Sequence, residues 1–212
     1  MNIWLVTACP EAHADRLHAM LASLGHPDER TVVVTAKHHD RLNGRHVPGE
    51  AWFLIDHRHE FSLAHLWNLG IAHAYEHDAT EVAVVSTDVT GTPDSLRRLR
   101  DSMRANACTM AGPNLSGPAS MVLVGVDRTA HRRVPGGCFM LAAEHGLVCD
   151  VQYRWRFCDD DLEAQAREIG LVGVFAGTGL TMGPDSPLTE ERAVWAVEDR
   201  ERYIAKWQRE PW

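Results

Sequence analysis

The sequence lacks any paired cysteine motif. No Cys-x-x-Cys occurs, and the number of cysteines is odd. Disulfide frameworks use an even set of patterned cysteines, and structural zinc sites use short ligand spacings. We therefore expect thiols that are mostly buried, and neither a disulfide scaffold nor a structural zinc site. The cysteines are Cys9, Cys108, Cys138, Cys149 and Cys158.

Long apolar runs and an excess of positive charge are also absent. No run approaches the ~20 apolar residues that span a bilayer, and the N-terminal segment lacks the basic start of a secretion signal. The formal net charge is -8, unlike that of a protein that coats nucleic acid. We therefore predict a cytoplasmic protein with no membrane segment. A local basic patch stays open, at the arginines of 97–104 or in the segment 128–133.

Three common catalytic motifs do not occur in the chain. The sequence has no Gly-x-x-x-x-Gly-Lys-Ser/Thr, no His-Glu-x-x-His and no Gly-x-Ser-x-Gly. These motifs cradle phosphates, bind zinc and carry a nucleophilic serine, respectively, so P-loop enzymes, zincins and serine hydrolases are disfavoured. The sequence also has no internal repeat and no linker, which predicts a single domain over residues 1–212.

Strand and helix patterns alternate through the first half of the chain. Runs of aliphatic and β-branched residues predict strands at 2–8, 30–36, 51–56 and 81–88. Apolar residues at helical spacing predict helices between these strands, with Gly25 and Ser62 as candidate caps, and a third helix after Pro93. This alternation is typical of a mostly parallel sheet with helices on both faces.

The second half is less regular. The segment 108–119 is rich in glycine, proline and serine, and apolar runs predict strands at 120–127 and 171–177. An acidic cluster opens a helix near residue 158, and a long helix ends the chain. The candidate apolar contacts of that last helix are Ala193, Trp195, Ala196, Ile204 and Trp207.

Two acidic positions are candidates for chemistry. Asp88 follows a strongly apolar strand and precedes a Gly-Thr-Pro turn, so it either shapes the turn or holds Mg²⁺ or Mn²⁺. Asp159, Asp160 and Asp161 open a helix directly after the aromatic segment "YRWRF". They are either a charged first turn stabilised by the helix dipole or the source of a general base.

Four blocks of sequence, in this order, resemble the family 2-like glycosyltransferases of the GT-A fold. The blocks are "NIWLVTA…RTVVVTA", "WNLGIAHAYEHDATEVAVVSTDV", "VPGGCFMLAAEHGLVCD" and "FCDDDLEAQAREIG". The resemblance implies an α/β, GT-A-like (Rossmann-like) domain with a mostly parallel central sheet flanked by helices. It also implies a nucleotide-sugar-binding half at 1–112 and an acceptor-side half with the C-terminal helix at 113–212.

The resemblance implies that a sugar is transferred, with inversion, from a UDP- or GDP-sugar to an acceptor hydroxyl. Asp159 matches the family's general base, and Asp88 matches the aspartate that holds Mn²⁺ or Mg²⁺ on the donor diphosphate. Asp161 matches an aspartate that is more often structural. The acceptor stays open between a saccharide, a protein and a modified nucleic-acid base. A catalytically weak nucleotide-sugar-binding module and a nucleotidyltransferase of similar fold are the alternatives.

The same correspondence implies further site residues and three departures from the family pattern. Ser86 stands where the metal motif often has an acidic residue, Cys158 replaces a glutamate, and Met182 lies near the expected position of a metal-binding histidine. Lys37 and His38 follow the second strand, where the family contacts the nucleobase. Expected donor-binding residues are Thr7, Ala8, Pro10, Asn68, Gly70, Ser86, Thr87 and Asp88, and expected acceptor-side residues are Gly136, Gly137, Trp155 and Asp160.

Overall fold

The structure, a computed structural model, describes residues 2–9, 13–36, 51–58, 60–124, 133–183 and 189–211. Its helices are α1 (Ala14–Leu24), α2 (Leu63–Glu76), α3 (Ser95–Ala105), α4 (Cys158–Ile169) and α5 (Glu190–Trp207). Its strands are β1 (Ile3–Ala8), β2 (Thr31–Ala36), β3 (Trp52–Asp56), β4 (Glu81–Val85), β5 (Val89–Thr90), β6 (Cys108–Pro113), β7 (Met121–Val124), β8 (Cys138–Ala142), β9 (Leu171–Phe175) and β10 (Thr181–Met182).

Eight of these strands form one sheet in the order β3-β2-β1-β4-β8-β6-β9-β7. The pairs β3–β2, β2–β1, β1–β4 and β6–β9 are parallel, whereas β8 runs antiparallel to both neighbours and β7 runs antiparallel to β9. The predicted α/β class with a mostly parallel central sheet is confirmed. Because β8 inserts between β4 and β6, one sheet joins the two predicted halves, and their boundary at residue 112 stays a prediction.

The sheet has an apolar core on each face. Successive strand residues point to opposite faces, so Val82 and Val84 pack in one core while Ala83 and Val85 pack in the other. Buried residues of α2, α4 and α5 fill the first core, and those of α1 and α3 fill the second. The five cysteines are buried thiols, as predicted. Within the described ranges, no helix is both long and apolar enough to cross a lipid bilayer.

Local signals set the helix ends that the sequence predicted. Ser62 caps α2 because its hydroxyl accepts a hydrogen bond from the backbone N–H of His65 at 3.2 Å. Gly25 ends α1 in the left-handed region, at φ 54°, and its N–H donates to the carbonyl of Leu21.

Two features of the structure differ from what the sequence predicts. The composition of the segment 108–119 indicates irregular structure, yet β6 is a fully buried strand between β8 and β9. Its proline, Pro113, is the last residue of the strand. The predicted apolar face of α5 is also partly wrong: Ala193 is exposed, and the buried residues are Asp199 and Tyr203.

Candidate active site

A cleft of about 510 Å³ opens at one edge of the sheet. Ala8 at the end of β1, the turn 86–88 after β4 and the residues after β6 line it. Because β8 runs antiparallel to its neighbours, its preceding residues Gly136 and Gly137 reach the same edge. The cleft therefore occupies the position where parallel sheets present functional groups, beyond the carboxyl ends of their strands.

Most of the predicted site residues meet in this cleft, although the chain separates them widely. Asp88 and Asp159, the predicted metal ligand and the predicted base, both line it. Their chemical roles stay predictions. The other predicted site residues in the lining are Ala8, Ser86, Thr87, Gly136, Gly137 and Trp155.

Three predicted donor-binding residues lie behind the wall of the cleft. Thr7 is fully buried within β1. The amide of Asn68 exchanges hydrogen bonds of 2.7 and 2.8 Å with the backbone of Cys149, which ties α2 to the segment before α4. Gly70 lets α2 approach β1, because a Cβ there would lie 2.3 Å from a methyl of Val6. At these positions the three residues contribute to packing. Their positions do not support direct contact with the nucleotide-sugar.

Other predicted positions lie outside the residues that the structure describes. They are Pro10, Lys37, His38 and the segment 128–132 of the candidate basic patch.

The turn 86–88 holds Asp88 rigidly. The N–H of Ser86 donates to the carbonyl of Gly137 at 2.7 Å, and the N–H of Gly183 donates to the carbonyl of Asp88 at 2.9 Å. β5 and β10 pair immediately beyond the turn. Oδ1 of Asp88 is buried and has no hydrogen-bond partner among the described residues. A buried acceptor without a partner lowers the stability of the fold, so this oxygen is suited to bind a cation or to accept a hydrogen bond from a ligand.

The surroundings of Asp88 fit an open cation site with one protein carboxylate. Ser86 precedes Asp88 by two residues, and Met182 pairs with Val89, the residue after Asp88. A thioether is a poor ligand for hard cations. No cluster of three or more His, Cys, Asp or Glu side chains suits a metal within the described ranges. A magnesium or manganese ion here would take its remaining ligands from phosphate oxygens and water.

Two basic side chains lie near Asp88 in the cleft. His13 and Arg16, from the start of α1, line it, and Nδ1 of His13 is 3.4 Å from the hydroxyl of Thr87. Burial lowers the pKa of His13, the charges of Arg16 and Arg192 lower it further, and Asp88 opposes them. Arg192 of α5 stacks 4.1 Å above the ring of Trp155. Arg16, Arg133 and Arg156 line the cleft, although the protein is acidic overall.

Asp159 lies directly against the backbone of Gly136. A Cβ on Gly136 would be only 1.9 Å from Oδ2 of Asp159, so a glycine leaves the space that the carboxylate occupies. Asp159 is half-buried and faces the cleft at the start of α4. A base in this position can reach an acceptor hydroxyl in the cleft.

The next two aspartates of α4 are held by other side chains. Arg133 donates to both carboxylate oxygens of Asp160, at 2.7 and 2.8 Å. Burial raises the pKa of Asp160 to about 7, and Asp159 adds to the rise while Arg133 opposes it. Asp161 is fully buried and accepts hydrogen bonds from Gln165, Lys206 and Trp207 at 2.7 to 2.8 Å. Asp161 therefore joins α5 to α4, in agreement with a structural role.

Asp199 is a positioning residue that the sequence analysis missed. Its fully buried carboxylate accepts hydrogen bonds from three consecutive backbone N–H groups, of Arg154, Trp155 and Arg156, at 2.8 to 3.1 Å. It thereby holds the segment that carries Trp155 to the cleft. One signal could have found it, because Asp199 lies midway between Trp195 and Tyr203 at helical i, i+4 spacing.

The candidate basic patch on α3 is neutralised by acidic partners. Arg97 and Arg98 pair with Asp94, and Arg100 pairs with Asp101. Arg104 pairs with Glu81 and Glu144. These pairs leave little net positive charge for the phosphates of a nucleic acid.

Comparisons with known proteins give matches only among solved structures. No protein-family model and no curated protein matches the chain. Residues 1–349 of TarS from S. aureus match with a TM-score of 0.59 at 10% identity, over 97% of this chain and 72% of that one. Structures of the same TarS segment are in complex with UDP-GlcNAc and with UDP.

Two further solved structures have the same arrangement. The mannosyltransferase PcManGT of Pyrobaculum calidifontis, in complex with GDP-Man and Mn²⁺, matches with a TM-score of 0.63 at 10% identity, over 99% of this chain and 64% of that one. A mannose-1-phosphate geranyltransferase of Thermus thermophilus matches with a TM-score of 0.53 at 14% identity, over 84% of this chain and 74% of that one. The chain has a GT-A-like glycosyltransferase fold, as its sequence motifs predicted.

Proposed function

We propose that this protein is a glycosyltransferase that moves a sugar from a nucleotide-sugar to an acceptor hydroxyl. The observation that carries the proposal is the meeting of Asp88 and Asp159 in one cleft of a GT-A-like fold. Asp88 has a buried oxygen without a described partner, and Asp159 lies in the first turn of α4. Sugar transfer needs two such groups, one near the leaving diphosphate and one near the attacking hydroxyl.

The donor we propose is a UDP- or GDP-sugar with its diphosphate beside Asp88. Complexes of TarS with UDP-GlcNAc and of PcManGT with GDP-Man and Mn²⁺ support this choice. Asp88 is the residue that would hold Mn²⁺ or Mg²⁺. When bound, the cation would neutralise charge that develops on the departing diphosphate. Ala8, Ser86 and Thr87 form the wall against which the nucleotide would lie.

Asp159 is the general base of the proposed reaction. Its carboxylate takes the proton of the acceptor hydroxyl while the hydroxyl oxygen attacks the anomeric carbon and the bond to the diphosphate oxygen breaks. Attack from the side opposite the diphosphate inverts the anomeric centre. Gly136 leaves room for this carboxylate, and Asp199 holds Trp155 on the acceptor side.

We favour a saccharide as the acceptor, with a protein as the alternative. Trp155 and Phe61 give the cleft an aromatic wall, with ring centroids 5.9 Å apart, and aromatic rings pack well against sugar rings. A modified nucleic-acid base is less favoured, because the arginines of α3 are paired and the net charge is -8. The proposal keeps the cytoplasmic location that the sequence predicts.

The test is a panel of UDP-, GDP-, dTDP- and CMP-sugars, with and without Mn²⁺, read by thermal shift and by nucleotide release. One donor should raise the melting temperature selectively and release its nucleotide slowly into water. Asp159→Asn should keep the shift and lose the release, whereas Asp94→Asn, at an exposed position of the α3 cap, should keep both. If no donor shifts the melting temperature, the proposal is wrong.

A nucleotide-sugar-binding module without turnover is the second candidate. Ser86 and Met182 favour it, because neither adds a carboxylate to Asp88 among the described residues around the 86–88 turn. The same panel separates the two candidates: a module would bind a donor, release no nucleotide and be indifferent to Asp159→Asn.

A further inference from the structure

One arginine of the cleft lies beside the proposed base, and the described part of the protein uses only one of its nitrogens. Arg133 lines the cleft together with Asp159, and its side chain is 40% exposed. Its Nη1 donates to both carboxylate oxygens of Asp160, at 2.7 and 2.8 Å. We propose that the remaining N–H groups of Arg133 bind hydroxyl groups of an uncharged acceptor saccharide and so select the acceptor. This inference rests on the proposed function.

Two buried carboxylates of α4 hold Arg133 in place. Glu163 accepts a hydrogen bond of 2.8 Å from the backbone N–H of the next residue, Val134, and Asp160 binds the guanidinium itself. Both carboxylate residues are at most 2% exposed. The backbone after Arg133 and the end of its side chain are therefore held before a ligand binds, which lowers the entropy that binding costs.

The same contacts bring Arg133 close to the place where an acceptor hydroxyl would attack. Its partner Asp160 follows Asp159 in α4, and Gly136, three residues after Arg133, lies against Oδ2 of Asp159. A saccharide whose attacking hydroxyl meets Asp159 would place other hydroxyl groups of the same ring near the guanidinium. The planar guanidinium can donate to two such oxygens, because its N–H groups point outward in a fixed fork.

The charges around Arg133 favour a neutral acceptor over an anionic one. Burial lowers the pKa of Arg133, but the carboxylates of Asp160 and Asp159 outweigh burial and raise the pKa, so the guanidinium stays charged. A carboxylate or phosphate group bound here would lie next to Asp159 and be repelled by its charge. A hydroxyl group can accept a hydrogen bond from Arg133 without this repulsion.

The experiment measures sugar transfer by the whole chain to simple glycosides, with the donor identified by thermal shift. Transfer is the nucleotide release that exceeds release into water. The neutral probes are the methyl glycosides of glucose, galactose, mannose and N-acetylglucosamine, and the anionic probes are methyl glucuronide and glucose 6-phosphate. At least one neutral glycoside should accelerate release, and the anionic probes should accelerate it less.

Arg133→Lys separates acceptor binding from the ion pair. A lysine can keep the pair with Asp160 but lacks the fork of further N–H groups, so the KM for the neutral glycoside should rise about tenfold to a hundredfold. The KM for the donor and the melting temperature should stay near their wild-type values. Arg133→Gln, which leaves an uncharged donor for Asp160, should raise the acceptor KM as well. Arg98→Lys, at an exposed position of α3, is the matched control and should change none of these values.

The outcomes separate this inference from the proposed function. The inference is overturned, and the glycosyltransferase proposal stands, if the donor binds and releases its nucleotide but no neutral glycoside accelerates release or an anionic probe accelerates it more. It is also overturned if both substitutions at Arg133 leave the acceptor KM unchanged. An equal rise in the donor KM would mean that Arg133 serves the shape of the cleft and not the acceptor. If no donor binds, both proposals are wrong.

Discussion

The two acidic regions of the cleft differ in what holds their carboxylates. At the end of β4, the backbone of Asp88 is fixed by neighbours, but its Oδ1 has no hydrogen-bond partner among the described residues. At the start of α4, Asp160 and Asp161 are both bound by cationic or polar side chains, and Asp159 is left facing the cleft. Carboxylates that the protein itself satisfies stabilise the structure, whereas Asp88 and Asp159 are available to a ligand.

The largest expected effect is the loss of turnover in Asp159→Asn. An amide cannot take the acceptor proton, and general base catalysis contributes about 10²- to 10⁴-fold, so kcat should fall by that factor. Donor affinity and melting temperature should stay near their wild-type values, because Asp159 is half-buried and at the cleft surface. Steady-state nucleotide release with the donor found in the panel measures this. If the variant turned over at the wild-type rate, Asp159 would not be the general base, and its role would not differ from that of Asp160 and Asp161.

Asp161→Ala should have the largest effect on stability. The substitution strips the side chains of Gln165, Lys206 and Trp207 of a shared buried acceptor. Lys206 is partly exposed and keeps its pair with Asp150. The cost therefore comes mainly from donors left unpaired, at about 1 to 3 kcal/mol, and the free energy of unfolding should fall by about that amount in urea titrations. Glu168→Ala, at an exposed position of the same helix, is the control and should change it by less than about 0.5 kcal/mol. Equal effects of the two changes would contradict the structural role of Asp161.

Gly136→Ala should change the position of the Asp159 carboxylate without unfolding the protein. The new methyl group would overlap Oδ2 of Asp159, whose side chain can rotate away, so the base should move while the fold persists. Misplacing a catalytic group by about 1 Å can cost about a hundredfold in rate, and turnover should fall by up to that factor. The control is Gly137→Ala, where the three atoms nearest to a Cβ belong to Met182 and Ser86 and lie at 3.1 Å or more. Equal turnover in the two variants would mean that Gly136 does not set the position of Asp159.

Local patterns predicted most of the fold, because the helices and strands of the first half carry their own signals. The caps at Ser62 and Gly25 and the β-branched runs of β2 and β4 are examples. β6 was missed because its composition resembles a loop, and its strand form depends on its place between β8 and β9. Because this strand depends on tertiary contacts, its own sequence has no alternating apolar pattern that would predict it.

The site was only partly predictable, for a related reason. The family resemblance marked Asp88 and Asp159, but nothing in the spacing of the chain shows that they share a cleft. Asp199 was missed because its partners are backbone N–H groups 43 to 45 residues earlier, and a backbone group has no sequence signature. Asn68 and Gly70 matched a family element, yet their side-chain positions serve the packing of α2.

A further contrast concerns how the ion pair of Asp160 responds to pH. Burial and Asp159 together raise the pKa of Asp160 to about 7 in the folded protein, despite the two hydrogen bonds from Arg133. The folded state then binds this proton more tightly than the unfolded state, so stability should decrease as the pH rises from about 4 to about 7. Asp160→Asn cannot titrate, and its free energy of unfolding should therefore decrease less steeply across this range. Parallel profiles for the variant and the wild type would mean that Arg133 outweighs burial and keeps Asp160 ionised throughout.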